Sequence, residues 1–76
     1  MEIKINTMGQ IIASEIEEDI GKCILIEPTK TGSFIIYSSV VPEMENCFDN
    51  WVQDAESLEY YLTYRNWDIR WLHPWM

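Results

Sequence analysis

Residues 9–17 alternate, with Gln10, Ile12, Ser14 and Ile16 on one side and Ile11, Ala13 and Glu15 on the other. That period of two predicts a β-strand. Residues 2–5 alternate in the same way and predict an earlier strand, with residues 6–9 as a turn or bulge between the two. Glu18, Asp19, Ile20 and Gly21 supply turn chemistry, because Asp bonds to its neighbouring backbone and Gly adopts positive φ. A hairpin is expected there. The next run, 22–27, contains Cys23, Ile24, Leu25 and Ile26 in succession, too short for a helix and suited to a central strand covered on both faces. Pro28 and Gly32 bracket its end, and residues 33–38, with Phe34, Ile35, Ile36 and Tyr37, predict a third strand antiparallel to the second. Residues 9–38 therefore read as a meander. Residues 40–50 have no sustained period and contain Pro42, which predicts an irregular loop with room for one helical turn.

The period changes after Asp54, whose carboxylate can accept from the free N–H groups of a following turn, while Glu56 complements the positive end of the dipole. A helix over 55–65 follows, with Leu58, Tyr61 and Leu62 as its buried stripe and Glu56, Glu59 and Thr63 outside. Arg65 suits the C-terminal end, and Asn66 suits a left-handed cap. Residues 67–72 return to strict alternation, with Trp67, Ile69 and Trp71 opposite Asp68, Arg70 and Leu72. This is a last strand whose aromatic side faces the helix, followed by a tail at 73–76 in which Pro74 lacks a ladder donor. Together the elements predict one α+β domain over 1–76: an antiparallel sheet of four to five strands with one helix on one face, in the order strands, helix, strand.

Composition narrows what such a domain does. The 76 residues leave no room for a second domain, and 47% apolar with 13% aromatic residues gives a globular chain rather than an acidic disordered tail. Thirteen Asp and Glu against five Lys and Arg give a net charge of -8, which excludes binding driven by phosphate neutralisation and disfavours anionic membranes. The N-terminal residues show no basic segment followed by an apolar run, and no stretch approaches the roughly 20 apolar residues of a membrane span. A cytoplasmic protein is the expectation, with Cys23 and Cys47 as reduced thiols.

Candidate chemistry is sparse. Cys23, Cys47 and His73 are the soft metal ligands, but their spacing matches no finger, knuckle or ribbon, and Cys23 reads as a small core hydrophobe. A Cys47 thiolate beside His73 would be the minimum for nucleophilic chemistry, yet no third group supports it. Adjacent acids such as Glu17 and Glu18, or Glu43 near Glu45, lack an apolar pocket to separate their pKa values, and residues 17–21 lack the alternating oxygen ligands of a calcium loop. No catalytic residue, metal or cofactor is expected.

What stands out is where the charge lies. Glu15, Glu17, Glu18 and Asp19 crowd the first hairpin; Glu43, Glu45 and Asp49 mark the long loop; Asp54, Glu56 and Glu59 line the helix start. If hairpin and loop share one side, Glu17, Glu18, Asp19, Glu43, Glu45 and Asp49 form a negative patch that attracts a basic protein. The competing reading is solubility alone. Exposed Tyr60, Tyr64 or Trp51 beside the acids would favour an interface.

Residues 9–18 and 21–26, the element Asp49-x-Trp51-Val52 before the helix, residues 56–62, and Trp67-x-Ile69-x-Trp71 resemble small acidic bacterial proteins similar to immunity proteins of contact-dependent or polymorphic toxin systems. The likeness covers most of the chain, and its motifs are structural in character. It implies a cytoplasmic, non-enzymatic inhibitor that binds a toxin, often a basic nuclease, and covers its active site or substrate groove. The alternative is a regulatory or structural subunit of a bacterial complex that self-associates through an edge strand, which leaves monomer or dimer open.

Overall fold

In a computed structural model that describes residues 2–41, 43–44 and 47–75, the alternating segments form five strands. These are β1 (Thr7–Ala13), β2 (Cys23–Pro28), β3 (Phe34–Ser39), β4 (Phe48–Val52) and β5 (Asp68–Pro74), with one helix, α1 (Ala55–Arg65), between the last two. They make a single antiparallel sheet in the order β4-β3-β2-β1-β5. The expected α+β class and the order strands, helix, strand are what the chain adopts. The meander arises because Gly21 (φ 96) and Gly32 (φ 83) take the positive φ that its connections require.

The helix carries the chain from one sheet edge, β4, to the other, β5, and so must cross a sheet face. Asp54 caps it by accepting from the Ser57 N–H at 2.8 Å, and Asn66 ends it in the left-handed region at φ 57 with its N–H donated to the Thr63 carbonyl. Leu58 and Leu62 pack on Ile11, Ile24, Ile26, Ile36 and Trp67, while Ile3, Phe34, Val52, Tyr61, Ile69 and Trp71 close the rim of this core. Arg65 lies over the rings of Tyr61 and Trp67, 4.9 and 5.8 Å from their centroids. Met8, Cys23 and Leu25 are also buried but stand outside this cluster.

Four local expectations are corrected. β1 stops at Ala13 instead of running to 17, because Ser14 Oγ accepts from the Ile16 N–H at 3.0 Å and the chain turns into a 3-10 segment over Glu17–Asp19. Ile16 is consequently 49% exposed. Residues 2–5 form no strand; instead the Glu2 carbonyl accepts from Trp71 Nε1 at 3.0 Å. The expected irregular loop over 40–50 ends early, because residues 48–52 complete the free side of β3 as strand β4. β5 runs through Pro74, which an edge strand tolerates because, among the described residues, no strand pairs with the side of its ladder away from β1. Among the described residues no helix is long and apolar enough to cross a membrane.

Strand direction decides what lies together. In an antiparallel sheet, the end of β1, the start of β2, the end of β3 and the start of β4 all sit at one end. The pairing of Ala13 with Asp68 places the start of β5, and with it the end of α1, at the same end.

Candidate protein-binding surface

Both acidic loops leave the sheet at this shared end. Glu17 and Glu18 are exposed in the 3-10 turn after β1, Glu43 is exposed after β3, and Asp49 is exposed at the second position of β4. Glu45 lies outside the described residues. Glu15 and Asp68 add further exposed carboxylates, the former accepting from Asn66 Nδ2 at 3.0 Å. The cations nearest this end are engaged: Lys22 pairs with Asp19 at 3.1 Å, and Arg65 is laid over two rings. Burial pushes the Cys23 thiol up, and the charge of Glu43 pushes it further, so the long loop and the start of β2 feel one another electrostatically.

Asp19 does not belong to that accessible surface. It is only 8% exposed, and its two oxygens accept from Lys22 Nζ and from the buried Trp67 Nε1, each at 3.1 Å. Burial raises its pKa, but the hydrogen bonds from Trp67 and Lys22 and the charges of Lys22 and Arg65 outweigh this and hold the carboxyl below its ordinary value. The expectation that Asp19 offers a partner contact is therefore corrected: its charge is consumed inside the fold, tying the first hairpin to the start of the last strand.

Aromatic groups flank the acids. Phe48 and Trp51 on the edge strand β4 are 74% and 63% exposed, far above what a side chain packed into its own domain shows. Phe48, Asn50 and Val52 share the helix side, where Asn50 Nδ2 donates to Tyr61 Oη at 3.1 Å; Asp49 and Trp51 share the other side. Tyr60 and Tyr64 stack with 6.2 Å between centroids on the solvent side of the helix.

On the sheet face away from the helix, the register sets Leu25, Tyr37 and Asp49 in one cross-strand row and Glu27, Ile35 and Trp51 in the next. Met44, Cys47 and Trp75 come over this face from the β3–β4 loop and the C-terminal tail. With Leu25, Glu27 and Tyr37 they line an open groove of about 270 Å³. Burial pushes the Tyr37 hydroxyl above its ordinary pKa, and the charges of Glu27 and Asp49 and the nearby Cys47 add to the effect.

Cys23 is buried, Cys47 forms part of the groove wall, and His73 Nδ1 lies 3.1 Å from the carbonyl of its own neighbour Pro74, which can only accept. Among the described residues no three His, Cys, Asp or Glu side chains converge to hold a metal ion. Sequence reasoning missed the edge strand β4 and the groove: Phe48, Asn50 and Val52 face one way and Asp49 and Trp51 the other, so each side mixes apolar and polar residues and no clean alternation marks the strand. No protein-family model, curated protein or solved structure matches this chain.

Proposed function

We propose that this chain is a non-enzymatic protein-binding domain, an immunity-type inhibitor that neutralises a basic toxin in the cytoplasm. The observation that carries the reading is the meeting of two acidic loops at one end of the sheet, beside an open edge strand with exposed Phe48 and Trp51. Glu17, Glu18, Glu43 and Asp49 would steer a basic partner into contact, and the two aromatic side chains would supply the desolvated anchors that hold it. The toxin class rests on the resemblance of Asp49-x-Trp51-Val52 and Trp67-x-Ile69-x-Trp71 to immunity proteins. The test has two parts. Affinity capture from native cells should retain a basic protein that a Glu17→Lys/Glu18→Lys/Glu43→Lys variant loses, and expression of that protein should arrest growth unless this chain is co-expressed. Capture indifferent to charge reversal, or growth arrest that co-expression does not relieve, refutes the reading.

A second reading rests on the same edge. Among the described residues no strand pairs with the outer side of β4, and a two-fold axis at Asn50 would set Asp49 of one copy against Trp51 of the other without opposing like charges. Sedimentation separates the two: a dimer at micromolar concentration favours self-association, and a monomer favours the inhibitor.

A further inference from the structure

The groove on the helix-free face has a composition that the acidic end lacks. Its floor is the buried Leu25, its walls are Tyr37, Trp75, Met44 and Cys47, and Glu27 supplies a carboxylate at its side. Asp49 lies directly across from Tyr37 in the β3–β4 register, which adds a second carboxylate at the rim toward the open edge. No Lys or Arg is among the lining residues, and neither Glu27 nor Asp49 forms an ion pair among the described residues. At about 270 Å³ and open to solvent, the groove lies at the small end of the roughly 300–1,000 Å³ typical of ligand pockets and has room for one long side chain.

Aromatic faces together with unpaired carboxylates select a cation. A ring face attracts positive charge through its quadrupole, and the attraction grows where a thioether and an apolar floor displace water. A phosphate or carboxylate ligand would be repelled by Glu27 and Asp49, and a purely apolar side chain would leave Glu27 partly desolvated with no partner. Arginine fits better than lysine: its planar guanidinium lies flat on a ring while its edge donates to a carboxylate, whereas an ammonium is a compact and more strongly hydrated point charge.

We infer that the groove between Tyr37 and Trp75 seats a single arginine side chain of the partner, its guanidinium against the aromatic rings and its N–H edge toward Glu27 and Asp49. This rests on the reading that the partner is basic, and gives that partner a specific anchor beside the less specific pull of the acidic end. The seat opens on the same face as Trp51, so a protein docked along β4 meets both.

The probe is N-acetyl-arginine amide, titrated into the full chain and followed by the indole N–H resonance of Trp75, which is assigned with a Trp75→Phe variant. The neutral isostere N-acetyl-citrulline amide serves as control. The expected result is a saturable shift of the Trp75 indole with a Kd on the order of 1–50 mM, the range open to a single side chain. Citrulline should produce no saturable shift, and Glu27→Gln should weaken arginine binding at least threefold. A linear, unsaturable response, or an equal response to citrulline, overturns the proposal. The two readings fail separately. Arginine seated in the groove with no basic toxin captured sinks the inhibitor function and leaves the groove. A toxin bound with unchanged affinity by both Glu27→Gln and Trp75→Ala sinks the groove and leaves the function.

Discussion

Replacing Asp19 with Ala removes the acceptor of the buried Trp67 indole N–H and the partner of Lys22. Hydrogen bonds to a charged group contribute about 1.5–3 kcal/mol, and the orphaned indole N–H, in a ring 5% exposed, adds a desolvation cost. Lys22 is half-buried, so its pairing adds under about 1 kcal/mol. The expected loss is about 2–4 kcal/mol, out of the roughly 4–11 kcal/mol available to a domain of this length. At about 4–8 °C per kcal/mol, this lowers Tm by about 10–30 °C. Asp19→Asn keeps an oxygen for Trp67 but not the charge, and loses about 1 kcal/mol. In a cycle with Trp67→Phe, the pair should couple by at least about 1 kcal/mol, read by urea unfolding. pH gives an independent check. The folded pKa of Asp19 lies below its ordinary value of 3.8, so the carboxylate stabilises the fold above that pH and loses its contribution as pH falls through the folded pKa. The stability gap between wild type and Asp19→Asn should therefore be constant from about pH 5 to 7, begin to narrow at about pH 4, and close as pH falls through the folded pKa. An Asp19→Ala variant within about 0.5 kcal/mol of wild type, with no pH-dependent gap, would refute the buried network.

Gly9→Val should destabilise by about 1–3 kcal/mol in urea, because even a Cβ at this position comes within 2.8 Å of Ile69 Cγ2 and Trp71 Cε3 across the β1–β5 pair. Asn66→Ala should lower stability by about 1 kcal/mol while Asn66→Gly costs less, since the helix cap holds φ 57 and glycine enters that region without a Cβ penalty. Iodoacetamide at neutral pH should label Cys47 well before Cys23, which is buried and whose thiol is pushed up by burial and Glu43; mass spectrometry of a time course reads the order.

The helix was fully legible because its signals are local: Asp54 as cap, Leu58 and Leu62 as buried stripe, and Asn66 as left-handed terminator each act within one or two turns. The last strand was legible because Ile69 and Trp71, with Trp67 just before them, alternate onto the side that packs against the core. β4 was not, because an edge strand with almost no buried residue has no contrast between a wet and a dry face; its existence depends on the free side of β3, a long-range fact. The gathering of acids was legible only as a condition on topology. Direction along the sheet fulfilled it for Glu17, Glu18, Glu43 and Asp49. Asp19 escaped because its partner, Trp67, lies 48 residues away and nothing in the hairpin announces it. The groove is hidden for the same reason: Leu25, Tyr37, Met44 and Trp75 come from four separate stretches of chain.

The most direct measurement is the association rate of the captured basic protein with wild type and with Glu17→Lys/Glu18→Lys/Glu43→Lys, at about 50 and 300 mM salt, on variants whose unfolding midpoints match. Charge reversal should slow association at least tenfold at low salt and flatten its salt dependence. Equal rates and equal salt dependence for the two proteins would mean that the acidic end plays no part in capturing the partner.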